Sequence, residues 1–249
     1  MRAEMNRKHF LQFLQSFGKE ALDLKGEVRG SITEASVALP NYYIRNRIVA
    51  TVHQAGSFVV SDMPRLIVFV KSMKSDKVLI SQVEGQPFRA HCGSSSATFA
   101  NTEYIRSALS LERAEAVVRE AQQDSFKTWS GRTLGAYAAI DSEDLIPVRN
   151  MSKVAGKLGS IKVSLVPADN ELVFSAGSDH SVTMSHVIET NDGSGDGQAT
   201  SLYGPWLITL LGALPEGRVS IFTGEDSPLI LHHDEVGMLM VVPEQEGRR

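Results

Sequence analysis

Two stretches of this chain, VLISQVEGQPFRAH at residues 78–91 and VSIFTGEDSPLILH at residues 219–232, align without a gap at an offset of 141. Val78 returns as Val219, Ile80 as Ile221, Glu84 as Glu225, Pro87 as Pro228 and His91 as His232. Working outward, the same offset takes Pro64 to Pro205, Leu24 to Leu165 and Gly18 to Gly159. It also carries the apolar set Phe10, Phe13 and Phe17 onto Met151, Val154 and Leu158. Solenoid repeats run to roughly 20–50 residues, so an offset this long predicts a tandem duplication. We expect a first domain at 1–108, a connector at 109–136 and a second domain at 137–249.

Composition suits that reading. A chain of 249 residues, 42% hydrophobic and 22% charged, can build two cores of ordinary size. No window approaches the roughly 18 uninterrupted apolar residues of a membrane span. The charged start, Met1 to Lys8, leads into an amphipathic stretch and is not expected to be a secretory signal. The lone Cys92 cannot form a disulfide within the chain, excludes a cysteine zinc site, and reads as a small buried hydrophobe.

Net charge is −4, but its distribution says more. Val163–Gly247 holds 13 acidic residues against one base, Arg218, whereas Met1–Lys162 holds 22 bases against 16 acids. Such segregation suits a protein that holds nucleic acid on one face and repels it elsewhere; an acidic domain that simply stays soluble gives the same pattern.

Periodicity predicts a helix at Asn6–Phe17, a β region from Leu24 to Val60, a second helix from Pro64 to Met73, and strands at Val78–Val83, Phe88–Cys92 and Ala97–Asn101. The second copy repeats the plan. Helices are expected at Ser142–Leu158 and Pro205–Leu214. Strands are expected at Ile161–Val166, Glu171–Ala176, Ser181–Glu189, Arg218–Thr223, Leu229–His233 and Met238–Val242, with a loop at Asn191–Thr200. Between the copies, Ser110–Gln122 has helical spacing and Asp124–Gly135 reads as loop. The class is α+β with antiparallel meanders.

The informative bases sit on the helices. Arg7 and Lys8 open the first; Arg65, Lys71 and Lys74 belong to or follow the second; Arg149, Lys153 and Lys157, spaced i, i+4, i+8, form one line on the third. Rows of bases without base-reading groups suit phosphates contacted without regard to sequence, and a solvated helix face is the ordinary alternative.

With the duplication, the ordered pattern resembles the sliding-clamp family, of the proliferating-cell-nuclear-antigen type of archaea and eukaryotes and of related phage clamps. The likeness covers most of residues 5–108 and 137–244. It is sharpest in the run from Pro205 to Pro243, which is similar to the family's last helix, its hairpin with an acidic-x-Pro-aliphatic turn, and its final strand. The opening DLIPVRNMSKVAGKLGSIKVSLV (144–166) resembles the family's inner helix leading into a strand.

The resemblance implies the DNA-clamp fold, two duplicated domains with sheets outside and helices lining a ring, and three identical subunits around duplex DNA. It implies a processivity factor rather than an enzyme, without cofactor or metal. The expected partners are double-stranded DNA bound without sequence preference, a clamp-loading ATPase, DNA polymerase and other clients docking short peptides, and no membrane. The site would be the cytoplasm, at the nucleoid, or the nucleus in a eukaryote. Arg7, Lys8, Arg65, Lys71, Lys74, Arg149, Lys153 and Lys157 would then face DNA, and Ser36, Val37, Leu39, Pro228, Met240, Val242 and Pro243 would wall a partner-peptide pocket. A subunit of a heteromeric checkpoint-type clamp, or a monomeric DNA-binding processivity subunit, stays open as an alternative. Two departures stand out: Trp206–Leu214 carries no base, leaving only Arg218 nearby, and the connector is helix-like where the family's is extended.

Other signals carry less. His232 and His233 are neighbours on a predicted strand and so point to opposite faces, against a metal site. NDGSGDG at 191–197 lacks the Glu that closes an EF-hand loop, and no phosphate-binding Gly-Lys-Ser/Thr loop occurs. Trp129 and Trp206 read as core or connector anchors.

Overall fold

The computed structural model describes residues 1–100, 108–155, 160–177, 183–195, 199–225 and 227–244, with the side chains of 108–110 and 152–155 set aside. Two compact units emerge: Met1–Leu39 with Ile44–Glu112, and Pro40–Tyr43 with Arg113–Arg249.

The chain opens with β1 (Arg2–Asn6), α1 (Arg7–Gln15), β2 (Leu24–Arg29), β3 (Ile32–Leu39), β4 (Tyr42–Val49), β5 (Thr51–Gln54) and β6 (Gly56–Val60). Next come α2 (Met63–Ser72), β7 (Lys77–Ser81), β8 (Phe88–Cys92) and β9 (Ser95–Phe99). These strands lie in the orders β5-β1-β7-β8-β9 and β4-β3-β2-β6. The connector region supplies α3 (Ala108–Gln123) and a small hairpin, β10 (Thr128–Trp129) with β11 (Arg132–Thr133).

The second unit continues with β12 (Ala136–Asp141), α4 (Ile146–Ala155), β13 (Ile161–Val166), β14 (Glu171–Gly177), β15 (Thr183–Glu189), β16 (Asp192–Gly195) and β17 (Ala199–Tyr203). Then follow α5 (Trp206–Leu211), β18 (Arg218–Thr223), β19 (Leu229–His233) and β20 (Leu239–Val242). Its strand orders are β16-β12-β18-β19-β20 and β15-β14-β13-β17. Substituting each strand's counterpart turns one unit's orders into the other's. The duplication read from residues 78–91 and 219–232 is therefore a duplication of topology: β8 at 88–92 and β19 at 229–233 coincide at the same offset of 141.

Three expectations need correction. The expected loop at Asp124–Gly135 holds the β10–β11 hairpin, Thr128 pairing with Thr133 and Trp129 with Arg132. The charged start is a strand: Ala3 and Met5 are buried while Arg2 and Asn6 are exposed, and β1 pairs with both β5 and β7. Its charges are the outward half of a period-two pattern. The expected loop at Asn191–Thr200 contains β16, whose Asp192–Gly195 pairs with β12.

Helix ends follow local chemistry. The Asn6 side chain accepts from the Lys8 and His9 amides at 2.9 and 3.2 Å, and Asp62 accepts from Arg65 N–H at 3.0 Å. Pro64 lies in the first turn of α2, where its missing N–H costs nothing. The apolar faces of α1 (Phe10, Phe13, Leu14) and α2 (Met63, Leu66, Val70) are buried, as are Val148 and Met151 of α4 and Leu207, Leu210 and Leu211 of α5.

The end of α3 is unusual. Phe126 N–H donates to the Ala121 carbonyl at 2.7 Å and Ser125 N–H to that of Gln122 at 3.3 Å, the paired bonds of a Schellman stop. Glycine normally holds the left-handed position; here Ser125 (φ 59°) and Phe126 (φ 61°) do. Each left-handed non-glycine residue costs roughly 1–2 kcal/mol, whereas burying a phenyl side chain contributes about 1.5–3 kcal/mol. Phe126 collects that gain: it is 8% exposed, its ring 5.0 Å from Phe222.

Candidate nucleic-acid interface

In the first unit α1 and α2 pack side by side. Arg7 at the start of α1 donates from Nη1 to the Val70 carbonyl near the end of α2, at 3.3 Å. That hydrogen bond brings Arg7 and Lys8 to the end of the pair where Lys71 closes α2 and Lys74 follows it. Cations there also face the negative end of the α2 dipole. Lys8, Lys71 and Lys74 are exposed and form no ion pair with another described residue. Arg65 stands at the opposite end of α2, exposed but within 3.3 Å of the Asp62 carboxylate. Three exposed lysines beside a half-buried arginine make a patch able to bind phosphates without reading bases.

Among the described side chains the second unit offers less. Arg149 is half-buried on α4, where Nη2 donates to the Ser142 carbonyl at 3.2 Å and burial holds its pKa below the usual guanidinium range. Its Nε is buried with no partner among the described residues. Arg149 thus turns back toward the short turn, Ser142–Leu145, that precedes its helix, instead of heading a solvated row. Lys153 lies on α4, its side chain outside the described residues, as is all of Lys157. α5 is apolar, with Thr209 its exposed middle residue. Arg218 supplies no substitute. It lies 3.9 Å from Asp192 and 3.8 Å from Asp234, and the β12–β18 register puts it on the same sheet face as Ser220 and Phe222.

The expected peptide-pocket residues lie in strands or beside them. Ser36 and Val37 are buried on β3, and Leu39 ends that strand half-buried. Pro228, Met240 and Val242 are buried and Pro243 is exposed. Met240 pairs with Leu231 and Val242 with Leu229, all at 0% exposure, so neither offers an open wall.

A feature missed in the sequence lies on the other face of that sheet. Tyr137, Phe222, Ile230 and Val241 are successive cross-strand partners over β12, β18, β19 and β20. Phe126 lies over this row, with Tyr137 and Phe222 5.1 Å apart and His232 6.2 Å from Phe126. The equivalent row of the first unit is Arg2, Ser81, Arg89 and Thr98, polar throughout. Comparing Ser81 with Phe222 and Arg89 with Ile230 at the offset of 141 would have shown that only one copy has an outer face needing cover.

No protein-family model matches the chain, and neither does any curated protein sequence. Solved structures do. PCNA of A. fulgidus, solved with the C-terminal region of FEN-1, matches at TM-score 0.72 and 13% identity, over 100% of this chain and 99% of that one. The PCNA2–PCNA3 complex of Sulfolobus tokodaii matches at 0.70 and 15%, over 98% and 99%. The β subunit of DNA polymerase III from Thermotoga maritima matches at 0.70 and 10%, over 99% of this chain. The chain has the sliding-clamp fold. It spans 65% of the Thermotoga clamp subunit, against 99% of the archaeal clamp subunits. Within this clamp fold the sequence placed the two helix pairs; it did not place the pairing of Arg218 with Asp192 and Asp234, or the turn of Arg149 back to Ser142.

His233 is buried, with Nε2 3.0 Å from the Glu216 carbonyl and Nδ1 accepting from Val236 N–H at 3.4 Å, while His232 lies under Phe126 on the other face. No group of His, Cys, Asp and Glu able to hold a metal occurs among the described residues.

Proposed function

We propose that this chain is a DNA sliding clamp, a processivity factor that encircles duplex DNA as a ring of three copies and tethers a polymerase and other DNA-processing enzymes. The observation that carries the reading is the duplicated two-sheet unit of clamp fold whose first helix pair presents Arg7, Lys8, Lys71 and Lys74. A ring holds DNA topologically, so it needs only weak and mobile contact with phosphates, and a few exposed lysines suffice. Lys153 and Lys157 of the second unit would add to the track.

Two sheet ends support self-association. β9 closes one sheet of the first unit and β15 one sheet of the second. β15 is seven residues long, carries no lysine or proline, and exposes Val187 at 49%. Natural edge strands left open are usually shortened or protected by lysine or proline, so an edge of this length without either suits a partner strand. Val173 lies on β14 between two neighbours, and Ala97 lies on β9. Clients would dock by short peptides, as the A. fulgidus clamp holds the C-terminal region of FEN-1.

The test is retention on closed circular DNA against the same DNA linearised, after loading by the cognate ATPase. A ring stays on the circle and runs off the free ends. Equal retention on both would replace the ring by a monomer that binds DNA on one face. Retention that requires a second, different subunit would favour a mixed assembly, as PCNA2 and PCNA3 of Sulfolobus tokodaii form a complex of two different chains.

A further inference from the structure

We propose that the outer face of the β5-β1-β7-β8-β9 sheet in the first unit is a docking site for a phosphorylated peptide of a partner protein, whose phosphate is held between Arg2 and Arg89 over Ser81. Register decides who stands beside whom. Gln54 on β5, Arg2 on β1, Ser81 on β7, Arg89 on β8 and Thr98 on β9 are successive cross-strand partners, so all five share one face of the sheet. Ala3, Ile80 and Ala90, on the opposite face, are fully buried. Neighbouring strands run about 4.8 Å apart, so the two arginines are carried roughly 10 Å apart with the serine midway. Both arginines are exposed and form no ion pair or side-chain hydrogen bond with another described residue. The acid of the next row, Glu4, is already taken by Lys77 at 2.6 Å. The chain has more acids than bases, 29 against 25, yet none stands in this row to neutralise the guanidiniums.

The duplication supplies the comparison. In the second unit the same row is Tyr137, Phe222, Ile230 and Val241, with Phe126 over it. Each copy must bury its inner sheet face, so that face stays apolar in both; the outer face is free to differ, and in the first unit it is basic and open. Its chemistry selects the occupant. A guanidinium presents a planar fork of donors that bonds two oxygens at once, and Ser81 and Thr98 add hydroxyls. A phosphate monoester brings three acceptor oxygens and a charge of roughly −1.5 to −2, enough to bond both forks and a hydroxyl. A carboxylate, with two oxygens, fills one fork. The row has no aromatic side chain, so the bases of a nucleic-acid strand would find nothing to stack on. Grouped arginines without stacking platforms are the means by which phosphorylated peptides are held.

The experiment uses the full chain without DNA, so its outcome is independent of whether the protein encircles DNA. The probe is a labelled peptide pool with phosphoserine at the centre between randomised flanks, read by fluorescence anisotropy against the same pool with Ser or Glu at the centre. The phosphoserine pool is expected to bind at least tenfold more tightly than either control. Arg2→Gln and Arg89→Gln should each weaken it at least tenfold, while Lys8→Ala combined with Lys71→Ala leaves it unchanged, which separates this face from the basic helix ends. Unchanged affinity in both arginine variants overturns the proposal. Equal affinity for the phosphoserine and glutamate pools would make this a site for acidic peptides and overturn the phosphate. Tighter binding of a single-stranded oligonucleotide, lost in the same two variants, would make nucleic acid the occupant and overturn it as well. Should an arginine variant fail to fold, Ser81→Asp decides. A carboxylate set between the two guanidiniums should lower the affinity for the phosphoserine pool at least tenfold, and unchanged binding overturns the site.

Discussion

The guanidinium of Arg7 donates to the carbonyl of Val70 at 3.3 Å, joining the first turn of α1 to the last turn of α2. This separates a structural base from the free ones around it. Replacing Lys8, Lys71 and Lys74 together by Ala should leave the melting temperature unchanged and weaken DNA association. Each phosphate that is no longer neutralised reduces the slope of log affinity against log salt by about 0.9. Arg7→Ala should instead lower stability, by about 1 kcal/mol, because the Val70 carbonyl is deprived of a charged donor. An unchanged salt slope in the triple variant would remove the three lysines from the DNA track.

Tyr203 is buried beneath β18, with its hydroxyl donating to the Ser227 carbonyl at 3.0 Å and lying 3.2 Å from Thr223 Oγ1. Burial pushes its pKa from the ordinary 10 up to about 12, against the opposing hydrogen bond from Thr223. A raised phenol favours the neutral form in the fold, so its contribution is complete below pH 10 and is lost as pH rises through 12. Chemical denaturation across that range should show the unchanged protein losing stability relative to Tyr203→Phe. At neutral pH the order should reverse, with Tyr203→Phe less stable by about 1–3 kcal/mol because the Ser227 carbonyl is left without its donor. Parallel pH profiles would show that the hydroxyl is solvated.

Ser125 holds φ 59° at the position where a Schellman stop favours glycine. Ser125→Gly should stabilise the protein by about 1 kcal/mol and raise its melting temperature, since glycine adopts that region without steric penalty. A lower melting temperature would mean that the α3 stop is not made as described.

The β15 edge should be sensitive to charge. Val187→Lys places on it the residue that natural sheets use against edge pairing. If the chain forms a three-fold ring through this edge, light scattering over a dilution series should fall from about three times 27.2 kDa to 27.2 kDa. An unchanged mass would place the subunit contact elsewhere.

Met240→Asp, a natural probe of the expected peptide pocket, should unfold the protein before it informs on peptides, because Met240 is fully enclosed opposite Leu231. Pro243 is the exposed member of that set. All four residues of β20 are apolar and buried, so the strand is covered on both faces; the apolar run is written locally and the cover is not.

The sequence by itself determined the duplication, the class, and the place of the helices and of most strands, while β1, β10, β11, β12, β16 and β17 escaped it. Period and spacing are local, and they recur at the offset of 141 because each copy must bury the same helix stripes and strand faces. Even β1, overlooked among its charges, alternates as a strand should. Tertiary structure alone decided what those elements present. Arg149 and Arg218 read as free bases in sequence, yet one is drawn back to Ser142 and the other is held between Asp192 and Asp234. Long side chains end where their partners lie, at Ser142 just before its helix for Arg149 and at Asp192 and Asp234 for Arg218, and the period of a helix or strand does not encode that. The same holds for Phe126. Its place over Phe222 depends on two left-handed residues and on a sheet whose strands come from four parts of the chain, so it emerges only when all of them are packed.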